Sequence, residues 1–393
     1  RAVDEICGML CDAALPFMRM GSEYTCDERF RPYLIDHAID DCPRLDVIRQ
    51  KILDTRIIVG TTSGMQARSY IFGLKHFSVA IIDEASQILE PNIVGLLANH
   101  QGSQYATTLS INKFILIGDY KQLPAVVQQD AGMSAVSDPL LLSIGLDNCR
   151  NSLFERLIKR EYALGREEFT GILRKQGRMH PDIAEFPNRM FYFREQLELV
   201  PCPHQLENSL HYTSPARDRL DNILKARRMI FIPSRPCRQP NISEKVNTEE
   251  ARIVACLLSR IHRFYGDRFD TQRTVGVIVP YRNQIAMIRR EIEQLGIPAL
   301  HDISIDTVER YQGSQRDVII YSFTIQCLYQ LDFLTGNCFE EDGRIIDRKL
   351  NVAITRARKQ MIMTGNTSTL SHNLVFSRLV EYTKEKGGYL EWP

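Results

Sequence analysis

The feature that most constrains this chain is a series of short, dense apolar runs, each closed by a polar residue, glycine or proline. They lie at 56–60, 78–82 and 114–117, and again at 229–232, 275–279, 317–321 and 361–363. Each has the length of a strand, and most are rich in β-branched residues. The runs are continuous rather than alternating, which suits strands buried on both faces of a parallel sheet. Amphipathic stretches such as 249–263 and 284–295 separate them. Strand alternating with helix specifies an α/β fold. A helical, loop-rich stretch near 140–175 divides the two series, so we expect two α/β domains, 1–165 and 166–393. Residues 1–55 are mostly helical in pattern.

Charge and cysteine usage narrow the function classes. Lys+Arg total 49 against 48 Asp+Glu, a net charge of +1. No global basic field marks the chain for nucleic acid, so any polyanion site must be local. No apolar run approaches the roughly 18 to 20 residues that span a bilayer. The ten cysteines are scattered without a C-x-x-C pair. Cys7, Cys11, Cys26 and Cys42 could be drawn as a metal cluster, but their spacing matches no zinc pattern. Reduced thiols of a cytoplasmic protein, or a nuclear one in a eukaryote, are the simpler expectation. The opening RAVDEIC reads as a helix already under way, as in a fragment of a longer protein. The polar stretch 200–225 reads as a long connection with no functional signal.

In doubly wound sheets ligands bind at the carboxyl ends of the strands, so the residues that close each run are the ones to read. The run at 78–82 ends in Asp83-Glu84-Ala85-Ser86. Two adjacent acids delivered by an apolar strand could hold Mg²⁺ and orient or deprotonate a water; a helix cap or a surface pair is the plainer alternative. The next run ends in Gly118-Asp119-Tyr120-Lys121-Gln122-Leu123-Pro124. Gly118 permits close backbone approach there. Gln122 is a neutral group able to touch a phosphate without competing for a metal. Arg178, in Gln176-Gly177-Arg178-Met179-His180-Pro181, and Arg356, in Thr355-Arg356-Ala357-Arg358, could each stabilise a phosphoryl transition state. Taken singly, each is more readily read as a surface ion-pair partner.

The order of the pieces decides. IIDEAS, GDYKQLP, LRKQGRMHP, VPYRNQ, DTVERYQGSQRDVII and LNVAITRAR follow one another along the chain. Together they resemble superfamily 1 helicases, in the branch of the nonsense-mediated-decay RNA helicase and the flap-processing DNA helicase-nuclease. The resemblance spans nearly the whole chain and implies two RecA-like P-loop NTPase domains facing each other across one ATP, with about 8–55 a helical insertion in the first. It makes Asp83 the Mg²⁺ ligand, Glu84 the catalytic base and Gln122 the γ-phosphate sensor. Arg178 and Arg356 become arginine fingers, Gly118 and Asp119 line the nucleotide, and Gln315 faces the ribose. Thr61, Thr62 and Ser63 would hold the backbone of a single strand, with Pro280, Tyr281, Thr307, Gln312 and Gly313 as the matching contacts in the second domain. Tyr281 would be the stacking ring. Asn247 would cap a helix, and His180 would make a structural hydrogen bond or serve its motif.

The chain departs from the family pattern in three places. The phosphate loop G-x-x-x-x-G-K-[ST] is missing, and no Gly-Lys dipeptide occurs anywhere. RAVDEIC resembles the segment that follows that loop, so we expect a truncated and idle piece of a motor. Gly177 replaces a family tyrosine that stacks on adenine, and Gln315 replaces a glutamate. The expected partner is single-stranded DNA or RNA, the cofactors ATP and Mg²⁺, the state monomeric and the direction 5′-to-3′. The competing reading is a non-hydrolysing nucleic-acid scaffold with a vestigial nucleotide cleft.

Overall fold

The computed structural model describes residues 2–42, 44–99, 108–237 and 243–392. The chain forms two compact units, Arg1–Tyr120 with Pro124–Thr170, and Lys121–Leu123 with Gly171–Pro393. The three residues Lys121–Leu123 thus belong with the second unit, although their place in the sequence put them in the first.

The first unit holds two parallel strand pairs. β1 (Phe17–Met20) pairs with β2 (Ile57–Gly60) in the register Phe17↔Ile57 to Met20↔Gly60. β3 (Phe77–Ile82) pairs with β4 (Ile111–Leu116). The stretch 8–55 is therefore not simply a helical insertion. Its strand escaped notice because FMRM is short and interrupted by Arg19, whose buried guanidinium is paired with Asp4. Expected burial on both faces also fails for β3 and β4. Phe77, Ala80 and Ile111 pack with Phe72 and Leu96. Ile81, however, is 65% exposed, and Val79, Phe114 and Ile115 are exposed with it.

The second unit matches the expectation closely. Short strands β5 (Lys175–Gln176) and β6 (Glu198–Leu199) pair beside a five-stranded sheet. That sheet comprises β7 (Met229–Pro233), β8 (Val275–Val279), β9 (Ser304–Thr307), β10 (Arg316–Ser322) and, after the antiparallel hairpin β11 (Cys338–Glu341) and β12 (Arg344–Asp347), β13 (Ala357–Gly365). Its order is β7-β13-β10-β8-β9, and every pairing is parallel. Alternation along each strand divides the side chains between two cores. Phe231, Ile319, Tyr321 and Met361 enter one core, with Ile183, Phe186 and Leu379 from helices Pro181–Met190 and Leu374–Glu385. Ile230, Val277, Ile320 and Ile362 enter the other, with Val254, Leu258 and Ile288 from helices Thr248–Tyr265 and Arg282–Glu293. Helices therefore cover both faces, as an all-parallel sheet requires.

The α/β class with parallel sheets is as expected. All ten cysteines are free thiols, and no cluster of His, Cys, Asp or Glu among the described residues could hold a metal ion. No helix among them is long and apolar enough to cross a membrane.

Candidate active site

In the first unit the carboxyl ends of β3 and β4 bring the acidic pair and the glycine turn together. Asp83 and Glu84 are both exposed. Glu84 adopts the left-handed conformation (φ 51°, ψ 36°), uncommon for a residue with a side chain and a mark of local strain. Asp83 Oδ1 accepts from the Glu84 amide at 3.0 Å, and Gln87 donates to Glu84 Oε2 at 2.7 Å. Ala85 N donates to Ile117 O at 2.8 Å, which ties the two loops. Gly118 is required there: a Cβ would lie 2.8 Å from the Ser86 backbone nitrogen. The Asp119 amide donates to Ser86 Oγ at 3.3 Å. Ser86, almost fully buried, is a site residue that motif reading overlooked; its place three residues after Asp83 was the available signal.

Also in the first unit, Thr61 caps helix Thr62–Ala67, its hydroxyl accepting from Gly64 N at 3.0 Å. Thr62 and Ser63 are the first residues of that helix, so their amides lack partners within it.

In the second unit two arginines far apart in sequence converge on one residue. Arg178 Nη1 donates to Thr355 O at 3.3 Å, while Arg356 Nη2 donates to Thr355 Oγ1 at 3.1 Å. Arg356 is 2% exposed and donates through Nε to Val352 O at 3.1 Å. Its Nη2 also reaches Gln122 Oε1 at 3.0 Å. Gln315 Oε1 accepts from Arg178 Nε at 3.0 Å.

The Arg178 loop is held by its own neighbour Gln176 and by His204 and Gln205, from the stretch read as a mere connection. Gln176 Oε1 accepts from the amides of Arg178 (3.0 Å) and Met179 (2.7 Å). Gln205 in turn donates to Gln176 O and Met179 O, both at 2.9 Å. His204 Nε2 donates to Arg178 O at 2.8 Å, and its Nδ1 faces Arg358 at 3.3 Å. Gly177 is exposed, and a Cβ there would meet Cys202 Sγ at 3.3 Å. His180 is structural: its Nδ1 caps helix Pro181–Met190 through Asp182 N, and its Nε2 donates to Glu207 O. Burial and the neighbouring Arg228 push its pKa down, which keeps the ring neutral.

The remaining expected strand contacts separate into two groups. Thr307, Gln312 and Gly313 surround the short helix that follows β9; Gly313 has φ +76° with open space at its Cβ position. Gln312 Nε2 donates to Leu123 O at 3.4 Å. Pro280 is buried, and Tyr281 departs from its expected role. It is only 8% exposed, with its ring stacked on Phe333 (centroids 5.0 Å, 25°). An inward ring already stacked on a neighbour is no platform for a base. Asn247 does cap helix Thr248–Tyr265, accepting from Glu250 N at 3.0 Å.

Comparison with known proteins bears on this geometry. A family model described as an AAA domain matches residues 149–368, more than half the chain, and another so described matches 39–130. An uncharacterised ATP-dependent helicase of Methanocaldococcus jannaschii is 29% identical over 86% of this chain and 44% of its own length. The DNA polymerase alpha-associated DNA helicase A of Saccharomyces cerevisiae is 27% identical over 82% and 44%. The DNA replication ATP-dependent helicase/nuclease of Xenopus laevis is 26% identical over 100% and 34%. The chain therefore spans less than half the length of these relatives. A solved arterivirus helicase, nonstructural protein 10 with DNA, is 12% identical and covers 96% of this chain and 53% of that one, with a TM-score of 0.41. With both AAA-domain matches and these relatives, the chain belongs to the superfamily 1 helicases, in the branch of the nonsense-mediated-decay RNA helicase and the flap-processing DNA helicase-nuclease.

Proposed function

We propose that the protein carrying this chain is an ATP-dependent helicase or translocase. It hydrolyses ATP with Mg²⁺ to move along single-stranded DNA or RNA, 5′-to-3′, as a monomer in the cytoplasm or, in a eukaryote, the nucleus. One observation carries the reading: Arg178 and Arg356 converge on Thr355, with Gln122 and Gln315 bonded to them. Two guanidinium groups held together by neutral oxygens form a preorganised positive site suited to developing phosphate charge.

The acidic pair fits a metal-bound nucleotide. Both carboxylates are exposed at a strand end, and no lysine or arginine among the described residues pairs with either. Asp83 would hold Mg²⁺, and bound Mg·ATP supplies an electrophilic phosphorus whose charge the ion partly neutralises. Glu84 takes the proton of the attacking water, and its left-handed backbone fixes the direction of its carboxylate. Gly118 and Asp119 approach the nucleotide by backbone. Gln122 senses the γ-phosphate while Arg356 holds its side chain. Gln315 orients Arg178, and its amide nitrogen would donate to a ribose hydroxyl. Thr61, Thr62, Ser63, Pro280, Thr307, Gln312 and Gly313 hold the strand through hydroxyls and amides, which are blind to sequence. Tyr281 shapes its loop from inside.

Strand-stimulated ATPase of the whole protein, with single-stranded DNA and RNA side by side, tests the proposal. Stimulation by either supports it. Nucleic-acid binding without hydrolysis would instead favour a scaffold. The 393-residue piece, which has no phosphate loop, should hydrolyse almost nothing.

A further inference from the structure

Every residue of the three-residue strap Lys121–Leu123 is tied to the second unit. The Lys121 side chain is 1% exposed. Its ammonium donates to Phe191 O at 3.0 Å and Glu195 Oε2 at 2.9 Å, and Glu341 Oε2 lies 2.7 Å away as an ion-pair partner. The ring of Phe193 lies 5.0 Å from that nitrogen. Asn351 Nδ2 donates to Lys121 O at 2.8 Å, from the helix Arg348–Thr355 that leads directly into Arg356. Leu123 is buried in the core shared with Ile354 and Tyr311. Between these two anchored residues stands Gln122, bonded to Arg356.

A buried cation between two part-buried carboxylates is a poor device for stability alone, since apolar residues of similar volume often serve as well. Its value is geometric: one ammonium fits one cradle, and a slip of a single residue would take Gln122 away from Arg356.

We propose that Lys121 is a positioning residue whose buried ion triad with Glu195 and Glu341 sets the strap's register and so keeps Gln122 on Arg356. The catalytic consequence rests on the ATPase reading; the anchor itself does not.

Two measurements on the whole protein test it separately. The first is amide exchange at 120–124, compared with the sheet strands β8, β10 and β13. Lys121→Met should speed exchange at 120–124 by about tenfold or more and leave the sheet unchanged. Because that variant strands two part-buried carboxylates, the charge-balanced triple variant Lys121→Met/Glu195→Gln/Glu341→Gln is measured beside it and should show the same local opening in a fully folded sheet. Unchanged exchange at 120–124, or equal acceleration throughout the sheet, overturns the anchor. The second measurement is kcat and KM for ATP. Lys121→Met should lower kcat about tenfold with KM and strand affinity within about twofold, and Lys121→Arg should recover most of the loss. Wild-type kcat in Lys121→Met overturns the positioning role. If the wild-type protein shows no ATPase activity, the ATPase reading falls, and the exchange measurement alone decides the anchor.

Discussion

Glu84 and Gly118 show how much of the proposed chemistry depends on single backbone positions. Gly118 allows the loop after β4 to lie against Ser86. Alanine there would place a carbon 2.8 Å from a backbone nitrogen, which no side-chain rotation relieves. We therefore expect Gly118→Ala to push the two loops apart and lower ATP turnover by about tenfold or more, with strand binding retained; parallel turnover and binding titrations check this. A second residue-scale expectation concerns Glu250. Its fully buried carboxyl accepts from Ser234, Ser322 and the Thr324 amide, yet burial outweighs these bonds and pushes its pKa up to about 7 from 4.5. The sign follows from linkage. The neutral form stabilises the fold fully below pH 4.5, and that contribution is lost as pH rises through 7. Glu250→Gln should therefore reduce the loss of unfolding free energy between about pH 5 and pH 8 by ~2–3 kcal/mol. Urea unfolding of both proteins at the two pH values is the measurement, and identical slopes would contradict the assignment.

At the scale of elements, the second unit was legible because its central strands are buried on both faces and therefore read as continuous apolar runs. β9 was not, because its sequence, Ser-Ile-Asp-Thr, is half polar and resembled a motif rather than a strand. The hairpin β11–β12 is rich in charge, and β1 is broken by Arg19, so neither shows the usual density. Motif residues of the candidate site could be picked out one by one, but their supports could not. His204, Gln205 and Lys121 act through contacts distant in sequence, and nothing in their local pattern marks them. Tyr281 is the converse case: a stacking role was read from its motif position, while its ring faces inward against Phe333, which lies in another segment. The cap on helix Thr248–Tyr265 shows the same coupling of local and distant roles. Asn247 accepts from Glu250 N, donates to Arg235 O at 3.0 Å and exchanges bonds with Gln284. Asn247→Ala removes a cap and leaves a carbonyl without its donor, so a loss of ~1–3 kcal/mol is expected in the second unit's unfolding free energy.

Across the whole molecule, the proposed chemistry is divided between the units. The acidic pair belongs to the first; both arginines and Gln122 belong to the second. The near-neutral charge suits a protein whose polyanion contacts are a few fixed groups rather than a basic field. The central claim is that this division describes one ATPase, with Glu84 as its base. The most direct test is ATP turnover of the whole protein with saturating single strand, for the wild type and for Glu84→Gln, alongside nucleotide binding by each. The account predicts that Glu84→Gln binds ATP like the wild type and turns over almost none of it. Strand-stimulated turnover at the wild-type rate in Glu84→Gln would contradict it.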